Sequence, residues 1–298
     1  MPLRTVHLVG AGGQLGTALI ARAPAGTELI AYSSSLLDVT DAGSVRTALA
    51  GLVPGDVVLN AAAYTDVDGA QTDREVAFAV NADGPGHLAA ATAAAGARLI
   101  HVSTDYVFAP EPGRTAALEP GDLDPDAAPA TVYGASKLAG ERSALAADPS
   151  STVVRTAWVY TGGPESADFV GTMRRLEASR PEISVVDDQR GCPTYVADLA
   201  DGLWELTAQT ATEPERTAGA VLHAAGGGEA TWYRLARAVF AGVGADPDRV
   251  RPCTTADFPR PAPRPTFSVL SGRSWAEAGL TPLRDWPAAL RDALDPPA

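Results

Sequence analysis

The stretch TVHLVGAGGQLG, residues 5–16, decides the fold class of this sequence. Its first five residues are apolar through the centre, as expected of a strand buried on both faces of a parallel sheet. The glycines that follow, Gly10, Gly13 and Gly16, have a G-x-x-G-x-x-G spacing and lead into an Ala/Leu-rich helix pattern. Glycines let the backbone approach a pyrophosphate closely, and a helix N-terminus offers free N–H donors. The stretch therefore predicts a dinucleotide-binding turn, with an ordinary glycine turn as the alternative.

Outward from this stretch, apolar strands alternate with Ala-rich helices up to about residue 160. This alternation predicts an α/β fold, a Rossmann-type doubly wound parallel sheet. The predicted strands are 5–9, 28–32, 57–60, 98–103 and 152–156. Beyond Tyr160 the regular alternation of strand and helix patterns changes. The Pro-rich stretch 258–266 is expected to have an extended backbone. We predict a dinucleotide-binding domain at 1–160, to which segments around 183–207 return, and a smaller C-terminal substrate-binding lobe at 161–298.

Composition narrows the classes of partner. The chain has 298 residues, 46% of them hydrophobic, and a net charge of -13 without a run of Lys and Arg, which argues against nucleic acid. A small diphosphate could still be held by backbone N–H groups and one or two Arg side chains. The start has no signal-peptide pattern, and no run of about 18 apolar residues could span a membrane, so we expect a soluble cytoplasmic protein. Cys192 and Cys253 lack disulfide or zinc spacing.

The sequence leaves the choice between NADPH and NADH open. An acid at the end of the second strand binds the ribose hydroxyls, whereas a basic residue accepts the 2′-phosphate. Here Tyr32 is followed by three serines, and an acid comes only later, at Asp38. After the third strand, NAAAY at 60–64 has small side chains that would let the backbone lie against the cofactor. Asn81 is either a polar anchor or merely structural.

The predicted catalytic pair is Tyr133 and Lys137, a Y-x-x-x-K pattern on a predicted helix. Residues four apart lie on the same helix face. A Tyr of pKa near 10 is a poor proton donor or acceptor at neutral pH unless a neighbouring ammonium stabilises its phenolate. The spacing alone occurs in many helices by chance, so the prediction depends on its combination with the glycine loop.

The fourth strand ends in HVSTDYVF, which brings Ser103, Thr104 and Asp105 to the carboxyl edge of the sheet. Ligands of open α/β folds bind at that edge. Thr104 could donate a hydrogen bond to a substrate oxygen and so polarise a carbonyl together with the Tyr133 hydroxyl. Ser103 is predicted to lie beside the cofactor. The alternative for all three is simple capping of the strand end.

Several longer motifs resemble one family. The matching stretches are GAGGQLG, NAAAYTDVD, STDYVF, YGASKLAGE, VVRTAWVY, VVDDQRGCPTYVADLA and RPAPRP. They resemble the dTDP-4-dehydrorhamnose reductase family, whose members are extended short-chain dehydrogenase/reductases. The resemblance covers about residues 6–294. The resemblance implies NAD(P)H-dependent reduction of the C4 keto group of dTDP-4-dehydro-L-rhamnose to dTDP-L-rhamnose.

The resemblance also implies residue roles. Cofactor contacts fall on Gly13, Gln14, Leu15, Asp38, Val39, Ala62, Ala63, Tyr64, Tyr133 and Lys137. Substrate contacts fall on Thr104, Asp105 and Trp158, and the catalytic residues are Thr104, Tyr133 and Lys137. Arg260 and Arg264 belong to the lobe that faces the nucleotide. The resemblance does not indicate which of the two contacts the diphosphate.

Alternatives stay open at this point. Related reductases act on another dTDP-linked 4-keto-6-deoxyhexose, as dTDP-dihydrostreptose synthase does. An epimerase or dehydratase would retain NAD, but a dehydratase is expected to carry an acid pair at the strand end, where this chain has Asp105 followed by Tyr106. A non-catalytic dinucleotide-binding subunit has no evident need for the Tyr, Lys and Thr set. Some family members bind Mg²⁺ at a dimer interface; no matching acids are identified here, and the homodimer is likewise open.

Overall fold

The structure is a computed structural model that describes residues 5–126 and 128–295. Its strands are β1 (Thr5–Val9), β2 (Glu28–Tyr32), β3 (Val57–Asn60), β4 (Arg98–Thr104), β5 (Thr152–Thr156), β6 (Val159–Tyr160), β7 (Ile183–Val186), β8 (Arg190–Gly191), β9 (Thr194–Tyr195), β10 (Val221–His223), β11 (Ala230–Thr231) and β12 (Val250–Cys253). Its α-helices are α1 (Gln14–Ala21), α2 (Ala42–Ala48), α3 (Arg74–Phe78), α4 (Gly84–Ala95), α5 (Val132–Ala147), α6 (Phe169–Ser179), α7 (Val196–Thr212), α8 (Pro214–Thr217), α9 (Trp232–Gly242), α10 (Arg273–Glu277) and α11 (Trp286–Leu294).

A six-stranded parallel sheet forms the centre of the fold, in the order β10-β5-β4-β3-β1-β2. All residues of β3 and β5 are buried, because helices cover both faces of the sheet. On one face Leu8 and Leu59 pack with Trp204 of α7. On the other, Val58 and Leu99 pack with Leu88 of α4. The doubly wound parallel sheet predicted from the sequence is confirmed.

The strand order reverses between β1 and β3. The chain first moves from β1 outward to β2 and then returns to the other side of β1, where β3, β4, β5 and β10 follow. Open α/β sheets bind ligands in the crevice that such a reversal leaves at the carboxyl ends of the strands. The glycine loop after β1 and the segment after β3 flank this crevice.

A second core lies beyond Tyr160. It packs α6, α9 and α11 around residues such as Val170, Phe240 and Leu290. Strand β7 pairs with β12 in a separate two-stranded sheet, so this part of the 183–207 segment lies outside the six-stranded sheet. Helix α7, which begins in the same segment, packs against α1. The domain division at residue 160 itself stays a prediction. Across 5–126 and 128–295, no helix combines the length and apolar character that crossing a bilayer requires.

Candidate active site

A cleft of about 1180 Å³ lies at the carboxyl ends of β1, β3, β4 and β5. The predicted site residues that line it are Gly13, Gln14, Leu15, Ala63, Ser103, Thr104, Asp105, Tyr133, Lys137 and Trp158. The predicted cofactor residues that do not line it are Gly10, Gly16, Asp38, Val39, Ala62 and Tyr64. The structure therefore brings the predicted catalytic and substrate residues into one space, while part of the predicted cofactor set supports its walls or lies outside it.

The glycines of the loop after β1 fall into two kinds. A Cβ on Gly10, whose φ is +88°, would lie 2.5 Å from the Ala62 nitrogen, and one on Gly16 would lie 2.2 Å from the Gly10 carbonyl oxygen. These two glycines permit close backbone packing. Around Gly12 the space is open, and Gly13 begins α1 without a side-chain cap. The first N–H groups of α1 are thus free to hold a phosphate, so the loop fits a dinucleotide.

Gln14 connects the glycine loop to the second core. Its side-chain nitrogen donates to Asp168 Oδ2 over 2.8 Å and to Ser166 Oγ over 3.1 Å. Asp168 also caps α6, because its other carboxylate oxygen accepts from the backbone N–H of Gly171. The Gln14 amide therefore bridges this side of the cleft, and the two residues that it joins, Gln14 and Asp168, are 154 positions apart in the sequence.

The two predicted cofactor residues after β2 contact other groups of the protein. Asp38 is exposed, and its carboxylate accepts from the Thr40 hydroxyl over 2.7 Å and from the Thr40 backbone N–H over 2.9 Å. These hydrogen bonds lower the pKa of Asp38. Val39 is buried in the core beside α4, and its carbonyl oxygen bonds the ring of His87. Their cofactor roles stay predictions.

Asn81 anchors the segment after β3. It is buried in a π-helical turn, Ala79–Asp83, where its amide oxygen accepts from the Tyr64 N–H over 2.8 Å. Its amide nitrogen donates to the Tyr64 carbonyl and to Ser136 Oγ of α5, both over 3.0 Å. These bonds tie the segment after β3 to the helix that carries the Y-x-x-x-K pair, which is a structural role, and Asn81 does not line the cleft.

Helix α5 begins at Val132, because the Thr131 side chain caps it by accepting from the Gly134 N–H. Tyr133 and Lys137 are both buried on its cleft side. Burial raises the pKa of Tyr133 to about 12, although the Thr104 hydroxyl lowers it. Burial lowers the pKa of Lys137 to about 8. The phenol is therefore protonated at neutral pH, and it lies beside an amine that is a cation below about pH 8.

The Lys137 ammonium is fixed by one hydrogen bond, to the carbonyl of Val102 in β4, over 2.7 Å. Thr104, at the end of that strand, donates to Asp105 Oδ1 over 2.9 Å. Asp105 is 2% exposed, and its other oxygen, Oδ2, has no partner among the described groups. Burial raises the pKa of Asp105 to about 6, although the nearby hydroxyls of Ser268 and Thr104 lower it. A buried carboxylate oxygen without a protein donor suits a ligand hydroxyl.

Ser103 borders the cleft, but its hydroxyl is directed elsewhere. It donates to Glu141 Oε1 over 2.5 Å, and Glu141 forms a buried bidentate ion pair with Arg155 over 2.9 and 2.7 Å. This pair joins α5 to β5 and was not predicted from the sequence. The cofactor role of Ser103 stays a prediction.

Trp158 has a strained backbone. Its φ is +48°, a left-handed conformation that costs about 1–3 kcal/mol for such a residue. Its indole stacks on that of Trp232, with ring centroids 3.5 Å apart and planes within 6°, and Phe169 lies 4.5 Å beyond. Trp232 and Phe169 also line the cleft but were not predicted as site residues. The run of three glycines at 226–228, shortly before Trp232, is the sequence signal that could have pointed to it.

The two arginines of the Pro-rich stretch share one acceptor. Asp68, after β3, accepts from Arg260 Nη2 over 2.6 Å, from Arg264 Nη2 over 2.9 Å and from the Ala262 N–H over 3.1 Å. Arg264 lines the cleft, whereas Arg260 does not. Within the described ranges, no group of three or more His, Cys, Asp or Glu side chains is placed to hold a metal ion.

Comparisons with known proteins identify the family and the fold. A family model described as RmlD substrate binding domain matches residues 4–297. A dTDP-4-dehydrorhamnose reductase of Mycobacterium tuberculosis (strain ATCC 25618 / H37Rv) is 54% identical over 98% of this chain and 92% of its own length. The structure of a dTDP-4-dehydrorhamnose reductase from Clostridium acetobutylicum has a TM-score of 0.87, with 34% identity over 98% of both chains. One from Bacillus anthracis in complex with NADP also has a TM-score of 0.87, with 33% identity over 99% of both chains.

Proposed function

The chain belongs to the dTDP-4-dehydrorhamnose reductase family, and we propose on this premise that it reduces the C4 keto group of dTDP-4-dehydro-L-rhamnose to dTDP-L-rhamnose. The family predicted from the motifs is confirmed. One observation carries the proposal: the glycine loop, Thr104, Tyr133 and Lys137 line a single cleft large enough for a dinucleotide and a sugar nucleotide.

In the proposed reaction, bound NADPH or NADH supplies the hydride that adds to C4. Tyr133 donates its phenolic proton to the C4 oxygen, so the ketone becomes a hydroxyl and the cofactor leaves oxidised. The Lys137 ammonium stabilises the phenolate that forms. The Thr104 hydroxyl, which donates to Asp105 Oδ1 in this structure, turns to donate to the same C4 oxygen as negative charge develops there. Asp105 and Trp158 contact the sugar.

The cofactor would be held by the loop and by small side chains. We assign the diphosphate to the first N–H groups of α1, those of Gln14 and Leu15. Gly13 lies beside them and donates its own N–H to the Gly10 carbonyl over 3.1 Å, and Gly10 and Gly16 allow the loop to pack closely. Ala62, Ala63 and Tyr64 would lie along the cofactor, Lys137 and Tyr133 at its nicotinamide ribose, and Asp38 and Val39 toward the adenosine. The serines after β2 supply neither an acid nor a base, which supports use of either cofactor. The homodimer stays a prediction.

The test of the proposal is turnover. dTDP-4-dehydro-L-rhamnose, generated by coupled upstream enzymes, is added with NADPH or NADH; cofactor oxidation is followed by absorbance and the product identified by NMR. We expect dTDP-L-rhamnose and an equal amount of oxidised cofactor. A reaction without this chain is the control. Intact NADPH binding without turnover would contradict the proposed substrate and favour a related keto sugar, such as the dihydrostreptose precursor.

Arg264 is the side chain we assign to the substrate diphosphate. A charge-assisted hydrogen bond contributes about 1.5–3 kcal/mol, and each 1.4 kcal/mol is about tenfold in affinity. We therefore expect Arg264→Ala to raise the KM for the sugar nucleotide about 10- to 100-fold, with the KM for NADPH nearly unchanged. Arg260→Ala is the matched control, because it also removes a charge and a bond to Asp68 but lies outside the cleft lining. Equal effects of the two variants would contradict the assignment.

A further inference from the structure

We propose that Gly191 and Trp232 are positioning residues that hold the Trp158 indole as a fixed wall of the substrate end of the cleft. The inference rests on the proposed function in one respect, namely that Trp158 contacts the sugar. Neither Gly191 nor Trp232 needs to touch the reacting atoms. Each acts through Trp158.

The backbone of Trp158 is fixed from one side by strand pairing. Its carbonyl oxygen accepts from the Thr194 N–H over 3.1 Å, where β6 begins to pair with β9. This pairing holds the residue in its left-handed conformation, which bulky side chains rarely adopt. The direction in which the indole leaves the chain is therefore set by the backbone.

Gly191 leaves the room that the indole occupies. A Cβ on Gly191 would lie 2.4 Å from Cε2, 2.6 Å from Nε1 and 2.7 Å from Cζ2 of Trp158. These are atoms of the rigid ring system, so none of them could move away alone. Gly191 does not have a positive φ, which means that its backbone would accept alanine. The indole is thus the reason that position 191 needs a glycine.

Trp232 covers one face of the same indole. It is held in turn by a hydrogen bond from its Nε1 to Gln189 Oε1 over 3.1 Å, and Gln189 is 5% exposed. Gln189 therefore fixes Trp232, and Gly191, two residues later, admits Trp158. One short segment positions both rings. Trp158, Trp232 and Phe169 all line the cleft and together give it an apolar surface suited to the C–H groups and the methyl group of a 6-deoxysugar.

Gly191→Ala tests the proposal. The stacked indoles should give an exciton couplet in circular dichroism, and the variant should lose it, because the added methyl group displaces the Trp158 ring. We expect the Kd of dTDP-L-rhamnose to rise at least about tenfold, which corresponds to about 1.4 kcal/mol of lost contact with the Trp158 ring. The Kd of NADPH should stay close to wild type, and the thermal midpoint should fall by about 2–10 °C, the range expected when one packed side chain is displaced.

Gly51→Ala is the matched control, because a Cβ there meets open space. Trp232→Phe is the second variant, which removes one indole without adding bulk at position 191 and should weaken binding of dTDP-L-rhamnose in the same direction. An unchanged couplet in Gly191→Ala, or a lost couplet with unchanged Kd, would overturn the inference. If the wild-type chain fails to turn over dTDP-4-dehydro-L-rhamnose, the proposed function fails instead, and the couplet still tests whether Gly191 positions Trp158.

Discussion

Tyr133→Phe is expected to lower turnover by about 100- to 10,000-fold, the usual effect of removing a general acid. The phenyl ring can keep the place of the phenol, whose ring lies edge-on to Tyr106 with centroids 5.5 Å apart. The variant should therefore fold and bind NADPH as before. It lacks only the proton that the C4 oxygen needs, and Lys137 cannot supply it in the same geometry because its ammonium is bonded to the Val102 carbonyl.

Single-turnover and steady-state rates of dTDP-4-dehydro-L-rhamnose reduction would measure the loss, and titration with NADPH would measure cofactor affinity. Tyr106→Phe is the matched control, because Tyr106 also lines the cleft and its substitution likewise removes one phenolic hydroxyl. We expect that control to stay within a few-fold of wild type, as is usual when no proton transfer is lost. A Tyr133→Phe enzyme as active as wild type would refute the role assigned to Tyr133.

The sequence was sufficient for five of the six strands of the central sheet, because these five are apolar runs between turn residues. Strands β1, β2, β3 and β5 have the predicted bounds, and β4 extends one residue further, to Thr104. The glycine loop and the Y-x-x-x-K pair were found for the same reason, since each is a local pattern. Parallel strands then bring their carboxyl ends together, so the cleft follows from topology.

The parts of the fold and of the site that the sequence did not predict depend on contacts between residues far apart in the chain, which local patterns do not encode. Strand β10 has only three residues, yet it completes the sheet by pairing with β5. The bond from Gln14 to Asp168 spans 154 residues and that from Arg264 to Asp68 spans 196. The π-helical turn around Asn81 arises within an otherwise ordinary helical pattern. Sequence periodicity could not predict these features, although they set the walls of the site.

Asp105→Asn is expected to stabilise the protein at neutral pH. Burial raises the pKa of Asp105 from its ordinary value of 3.8 to about 6. Because the folded state binds this proton more tightly than the unfolded chain does, the contribution of Asp105 to stability is greatest below pH 3.8 and is lost as the pH rises through about 6. At about 1.36 kcal/mol per pKa unit, the ionised carboxylate costs up to about 3 kcal/mol at pH 7.

Asparagine removes that charge and keeps an oxygen that can accept from Thr104. Denaturant unfolding at pH 7 should therefore show a gain of up to about 3 kcal/mol that shrinks toward zero below about pH 4. Glu165→Gln, which removes one exposed negative charge, is the control and should change little at either pH. A gain in unfolding free energy that did not depend on pH would contradict burial of the ionised carboxylate as its cause. If Asp105 binds the sugar as proposed, the KM for the sugar nucleotide should rise in the same variant, because the buried carboxylate is retained for the ligand at a cost in stability.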